Sequence, residues 1–228
     1  MLALLYDVHG NLPALEAVLA DAQAAGAGRY LLGGDYAAFG AWPSETIARL
    51  RELDADWIRG NVDRWTAGDD HDLLDPMRPA IARCRELLGD DLATELGALP
   101  ETLTAEDVLY CHASPMSDMD SFMPEAREDK DAERLMGVGT RRVVFGHTHL
   151  AFKRTGPAGI ELVNPGSVGI PLDGDHRPSY GLVREDGEVE LRRVAYDHQA
   201  SADAIREVLG EAGEIPARRI EQARFDVQ

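Results

Sequence analysis

Two pairs of residues stand two apart in this chain, Asp7 with His9 and His147 with His149, and each pair follows a short apolar run. Three further polar residues end such runs singly. Asp35 follows Tyr30-Leu31-Leu32-Gly33-Gly34, Asn61 follows Trp57-Ile58-Arg59-Gly60, and His112 follows Val108-Leu109-Tyr110-Cys111. Residues i and i+2 of an extended chain project to one side, which lets each pair face one ion. Two carboxylates, four imidazoles and one amide make a mixed nitrogen and oxygen donor set without thiolate. Such a set suits Mn²⁺, Fe, Zn²⁺ or Ni²⁺ in five- or six-fold coordination. Asp7, His9, Asp35, Asn61, His112, His147 and His149 are too many ligands for one ion of this kind and suit two, with one carboxylate shared. The Asp7 motif and His112 are weak signals alone, because a lone His after an apolar strand is more often a hydrogen-bonded core residue, whereas Gly146 before the His147/His149 pair allows close backbone approach and makes that motif more specific. The force lies in their recurrence in order, with four of the seven histidines in the set.

Runs of a few β-branched or aromatic residues, such as Leu2 to Tyr6 or Val143-Val144-Phe145, read as buried strands. Between them lie helical patterns. Asn11 can cap a helix with Pro13 in its first turn, Leu12, Leu15, Val18, Leu19 and Ala22 recur at three- and four-residue steps, and Gly26 closes it. Pro43 to Leu53 reads as a second helix, and about Pro79 to Leu99 as a third. Strand–helix–strand–helix–strand predicts a sheet that begins parallel with helices outside. The polar residues then fall at the carboxyl ends of strands, where open α/β sheets form their binding crevice. After His149 the texture changes. Phe152 to Arg154, Ile160 to Val163, Tyr180 to Arg184 and Val189 to Val194 read as antiparallel strands, and Ser201 to Leu209 with Ala217 to Phe225 as closing helices. The expectation is one α/β domain over residues 1–228, with two packed sheets and a mainly helical insertion around 69–101.

Charge and composition bound the function. Lys+Arg number 23 against 41 Asp+Glu, a net charge of −18. Phosphate backbones and anionic membranes select Lys and Arg, so a stable nucleic-acid complex and a membrane partner are not expected. A metal site can reverse that sign locally. No stretch approaches the ~20 apolar residues that span a bilayer. The N-terminus lacks a basic lead and meets Asp7 too early for a signal peptide, which points to the cytoplasm. Cys84 and Cys111 offer neither a disulfide framework nor a thiolate zinc site, and both read as core thiols.

In their order, Asp7-Val-His9-Gly10-Asn11, Gly34-Asp35, Gly60-Asn61, His112 and Gly146-His147-Thr148-His149 resemble the motifs of the calcineurin-like metallophosphoesterases. The resemblance runs from Leu2 to at least Gly169, and Asn164-Pro165-Gly166-Ser167-Val168-Gly169 is similar to a loop of the small bacterial phosphodiesterase branch. It implies a four-layer α/β/β/α sandwich of two mixed β-sheets flanked by helices. It implies that Asp7, His9 and His149 hold one divalent ion, that Asn61, His112 and His147 hold another, and that Asp35 bridges them. Manganese is the first choice of metal, with iron, zinc or nickel as alternatives. The implied activity is hydrolysis of small phosphodiesters, cyclic nucleotides or aryl-type diesters, by a hydroxide bridging the two ions. Two divalent ions less two carboxylates and a hydroxide leave one positive charge, which a diester monoanion neutralises and a monoester dianion exceeds; this leans towards diesters. The alternatives are a phosphomonoesterase or protein phosphatase of the same fold, and a metal-independent scaffold like one eukaryotic trafficking branch. A repair nuclease would want a basic surface. Homo-oligomerisation is left open.

One position departs from the pattern. Where the family commonly carries Gly-Asn-His, this chain has Gly60-Asn61-Val62, and valine cannot protonate a leaving oxygen. The expectation is a leaving group that needs little help, or an acid borrowed elsewhere. Asp63, His71 and His176 are candidates by type, with His176 preferred as catalytic residue beside Asp35 and Asn61. Arg59 and Arg64 flank Asn61 and could touch the phosphate, or be solvated surface arginines. Asn11 could contact substrate or a metal-bound water, or serve as a helix cap.

Overall fold

The computed structural model describes residues 1–227. Ten strands form two mixed five-stranded sheets. The chain runs β1 (Leu2–Leu5), α1 (Leu12–Ala24), β2 (Arg29–Leu32), α2 (Pro43–Leu50), β3 (Ala55–Trp57), α3 (Asn61–Ala67), α4 (Arg78–Leu88), α5 (Asp90–Gly97), β4 (Thr102–Ala105) and β5 (Val108–Cys111). It continues through α6 (Glu128–Arg134), β6 (Arg142–Val144), β7 (Phe152–Thr155), β8 (Glu161–Asn164), β9 (Ser179–Val183), β10 (Val189–Arg193), α7 (His198–Leu209) and α8 (Glu214–Gln222). The first sheet has the order β10-β9-β1-β2-β3 and the second β4-β5-β6-β8-β7.

The half after His149 is not uniformly antiparallel as its Gly-rich turns suggested. β8 pairs parallel with β6, and β9 and β10 return to the first sheet, where β9 runs antiparallel to β1. The physical reason is burial: β6 and most of β8 are covered by the first sheet on one face and by Phe122 and Leu135 on the other, the setting in which parallel strands occur. The pattern over Pro79 to Leu99 is two helices, split at Gly89, whose φ of 80° no helix tolerates. Three elements escaped the sequence: α3, α6 and the edge strand β4.

Alternation along β1 sorts the core. Leu4 and Tyr6 meet Leu31, Ile58, Val108, Val144 and Val163 between the sheets, whereas Ala3 and Leu5 face Leu15, Val18 and Leu19 of α1. Beyond the second sheet, Phe122, Val143, Phe145 and Leu162 form a further layer with Leu135. Leu4 is fully buried, so truncation to Ala would cost about 2–5 kcal/mol. The register set by β1∥β2∥β3 and β5∥β6∥β8 brings the carboxyl ends of parallel strands from both sheets to one edge of the sandwich.

Candidate metal centre

Asp7 and His9 follow β1, Asp35 follows β2, Asn61 opens α3 after β3, His112 follows β5, and His147 and His149 follow β6. All seven side chains converge. His149 Nε2 lies 3.4 Å from Asp7 Oδ1 and 3.1 Å from His9 Nε2. His112 Nε2 lies 3.4 Å from Asp35 Oδ2 and 3.9 Å from Asp7 Oδ1. Asn61 Oδ1 sits 2.9 Å from both His112 Nε2 and His147 Nδ1. His9 Nε2 is 3.9 Å from Asp35 Oδ2. Two overlapping groups, Asp7 with His9 and His149, and Asp7 with Asp35 and His112, each bring their ligand atoms within 4.8 Å of one another. Either carboxylate therefore reaches both halves of the cluster.

The backbone achieves this differently from the extended alternation expected of the two pairs. Asp7, His9, Asp35, His147 and His149 all have left-handed φ, between 50° and 66°. Asp and His tolerate that region better than branched residues do, yet strain of order 1–3 kcal/mol per residue collects here. Close approach also needs glycine. A Cβ on Gly60 would stand 2.1 Å from Asp35 Oδ1, and one on Gly34, at φ 95°, would stand 2.5 Å from Gly60 N.

Backbone carbonyls fix the imidazoles. His9, His112 and His149 each direct Nδ1–H at a carbonyl, of Ala38 at 3.1 Å, Gly33 at 2.9 Å and Ile170 at 2.6 Å. A carbonyl only accepts, so Nδ1 carries the proton in each ring and Nε2 points inward, the atom left to ligate an ion. At the centre, lone pairs and carboxylate oxygens face one another. Asp7 is fully buried, its Oδ2 accepts from His147 N–H at 3.1 Å, and its Oδ1 has no hydrogen-bond partner among the described residues. A buried orphan oxygen amid inward lone pairs is costly unless a cation shares the space. The donor set thus fits divalent metal.

The titration pattern agrees. Burial would lower His112, but Asp35 and Asp7 outweigh it and push it up to about 10. Burial, then His149, holds His9 down to about 4, and burial, then His112, does the same to His147. Burial opposes ionisation of Asp35, yet His112 and His9 hold it below the usual carboxylate range. His9 and His147 are thus held as neutral imidazoles, the form that ligates a metal ion, beside two ionised carboxylates.

The Asn164–Gly169 loop supports the floor. Asn164 Nδ2 donates to Gly146 O at 2.9 Å, Ser167 Oγ donates to Asp7 O at 2.8 Å, and Ile170, whose carbonyl orients His149, donates its N–H to Ser167 Oγ. Asn11 is fully buried and committed to structure: it accepts from Ala14 N–H and donates to Gly169 O at 2.8 Å and Tyr196 Oη at 3.0 Å.

The structure places the other expected site residues away from the centre. Arg64 is buried in a clamp with Asp118 at 2.7 Å and Asp72 at 2.9 Å. Arg59 pairs with Glu101 at 2.6 Å and with the Gly97 carbonyl. His176 is exposed, stacks on His198 at 3.9 Å between ring centroids, and stands outside the cleft above the cluster. Asp63 proves to be a strap. Its buried carboxylate accepts from Gly60 N–H, Asp35 N–H and Tyr36 N–H at 2.8–3.1 Å, locking the Asp35 and Asn61 loops together; burial and then Asp35 push it up to about 7. The available signal was the spacing of a helix-capping box, an acid three residues after Gly60.

Residues 1–188 match the model of the calcineurin-like phosphoesterase superfamily domain. The chain belongs to that superfamily. A metallophosphoesterase from Sphaerobacter thermophilus is 26% identical, with a TM-score of 0.80 over 97% of this chain and 98% of that one. A hypothetical protein of Pyrococcus horikoshii OT3 shares the fold at 23% identity, with a TM-score of 0.82 over 95% and 98%. An uncharacterized protein of Methanocaldococcus jannaschii is 28% identical over 230 residues, 90% of this chain and 91% of that one. The phosphoesterase fold, a phosphoric ester hydrolase activity and divalent metal ions follow from this membership. Among the described residues, no helix is long and apolar enough to cross a membrane. The matched segment ends in the turn between β9 and β10, so α7 and α8 lie beyond it.

Proposed function

We propose that this phosphoesterase is a cytoplasmic enzyme that hydrolyses small phosphodiesters with two divalent ions. Asp7, His9 and His149 would hold one, Asn61, His112 and His147 the other, and Asp35, within 3.9 Å of both His9 and His112, would serve both. The observation that carries the reading is the convergence of inward Nε2 atoms and a second carboxylate on the orphan Asp7 Oδ1. Bound divalent ions supply an activated hydroxide and neutralise the phosphoryl oxygens. The chain's own residues do the rest. The Nδ1–H bonds keep three imidazoles aimed, Asp63 holds the two loops at one spacing, and Val62 N–H, 2.8 Å from Asp35 Oδ1, orients that carboxylate. Val62 itself lines the cleft beside the cluster and offers no proton. That supports esters whose leaving oxygen departs as a stable anion, such as aryl diesters, over simple alkyl ones. The charge count favours diesters over monoesters.

The test is to strip the protein, reload it with Mn²⁺, and measure bound metal and turnover of an aryl phosphodiester and an aryl phosphomonoester. About two ions per chain and faster diester hydrolysis are expected. Absence of both metal and turnover would favour a scaffold role; faster monoester hydrolysis would favour a phosphatase.

A further inference from the structure

We infer that the phosphoester taken by this centre carries one phosphate and a bulky apolar group, aromatic or aliphatic. The inference rests on the phosphoesterase reading and extends it to the organic part of the substrate.

The metal-ligand cluster is the floor of a cleft of about 720 Å³. Its walls are largely carbon. Leu74 and Met77 rise just before α4, Met119 and Met123 come from the loop between β5 and α6, Ile215 comes from α8, and Phe225 from the segment just after it. Among the described residues, six large hydrophobic side chains stand exposed; three of them, Leu74, Ile215 and Phe225, are gathered here at 66%, 47% and 67%. Water-exposed apolar side chains concentrated beside a catalytic floor mark a surface that is covered when the site is used. Methionine adds a shape-adaptable, polarisable face to both sides.

Charge points the same way. Apart from the cluster, the charged residues of the described lining are Glu211 and Arg219. The Arg219 guanidinium lies 4.3 Å above the Phe225 ring, and its Nε–H donates to the Phe225 carbonyl, so this cation is spent on holding the wall. A second phosphate on the substrate would meet no other cation there and would lose hydration without replacement. An apolar group would exchange water for Leu, Met, Ile and Phe surface. Ile215 and Phe225 lie outside the segment that matches the superfamily model, so this part of the wall is added to the superfamily domain.

The experiment uses the full-length, metal-loaded protein and phosphodiesters that share a p-nitrophenyl leaving group, while the other ester is methyl, phenyl, 1-naphthyl or dodecyl. A constant leaving group keeps the chemistry constant. kcat/KM is expected to climb with apolar area, by about tenfold or more from methyl to the largest esters; the naphthyl and dodecyl arms distinguish an aromatic from an aliphatic guest. In a Leu74→Ser/Ile215→Ser/Phe225→Ser variant, whose changes are all at exposed positions, the ratio of large to methyl ester should fall towards one. A flat series, or faster turnover of a p-nitrophenyl ester bearing a second phosphate, overturns the inference while leaving the phosphoesterase reading intact. Calorimetric binding of 1-naphthyl phosphate against methyl phosphate separates the other case. Tighter naphthyl binding that the variant loses, with no turnover of any ester, would retain the apolar cleft and reject the reading it was built on.

Discussion

The floor and the walls of one cleft are built by opposite means. On the floor, Asp7, His9, Asp35, His112 and His149 are almost wholly buried, sit at the ends of central parallel strands, and are each fixed by backbone hydrogen bonds. Five of the floor residues hold left-handed backbone, a cost the surrounding glycines and the Asn164–Gly169 loop sustain. The walls have the reverse character: exposed, apolar, contributed by segments far apart in sequence, and free of strained backbone at Leu74, Met77 and Ile215. Chemistry that needs atoms placed to within a fraction of an ångström is set in the rigid part. Selection of an organic group, which needs only complementary surface, is left to the part that tolerates change.

The largest effect should come from removing a floor carboxylate. Asp35→Ala deletes the oxygen that lies between His112 and His9 and the acceptor of Val62 N–H. Turnover of the aryl diester should fall by on the order of 10³-fold, as it does when a single transition-state stabiliser is removed, and bound metal should drop with it. Full metal content with near-normal turnover would show that Asp7, which lies within 4.0 Å of rings in both halves, does the bridging instead.

An intermediate effect should follow from a change at the seam between floor and wall. Val62 is 3% exposed, lines the cleft, and stands one residue after Asn61. Val62→His places a proton donor where the leaving oxygen departs. General acids contribute about 10²–10⁴-fold when the leaving group is poor, so hydrolysis of an alkyl diester should gain about tenfold or more relative to an aryl one. Equal gains on both, or none, would mean that leaving-group protonation does not limit this enzyme.

The same division explains what could be read from the letters. The floor was legible because each ligand follows an apolar strand and is spaced by glycine, a pattern set by burial and close approach. Asp7 and His9 do face one cluster, but left-handed turns, which propensity does not reveal, and not i and i+2 alternation, turn them there. Asp63 was visible only as a candidate acid for the leaving group, because its three N–H donors come from two loops that the sequence leaves apart. The Gly60–Asp63 helix start was hidden for a similar reason: a seven-residue helix buried from Asn61 to Thr66 has no polar face to give it a period. The walls were illegible altogether. Leu74, Ile215 and Phe225 carry the same letters as core residues, and only the tertiary arrangement leaves them uncovered. The parallel pairing of β8 with β6 likewise depends on layers that cover both faces, not on any local turn.

The smallest effect is on the tie between the two regions. Arg64, one turn into α3 from the floor, is gripped by Asp72, which precedes the Leu74–Met77 wall, and by Asp118, which precedes the Met119–Met123 wall. Hydrogen bonds from Arg64 hold Asp72 down to about 2 against a modest burial penalty, with Trp65 Nε1–H at 2.6 Å assisting. The unfolded value is ~3.9, so the folded group is the stronger acid. Its stabilisation is therefore complete above about pH 5 and disappears as pH falls from ~4 through about 2. Asp72 is 30% exposed in its side chain, and solvent screening keeps the contribution under about 1 kcal/mol. Asp72→Asn should lower the urea midpoint slightly at pH 6, and the gap from the unmodified chain should close by about pH 2. Because the tie serves the walls, the same substitution should blunt discrimination among ester groups while metal content stays unchanged. Loss of metal on Asp72→Asn would show that floor and walls are not separable, and that the rigidity of one depends on the other.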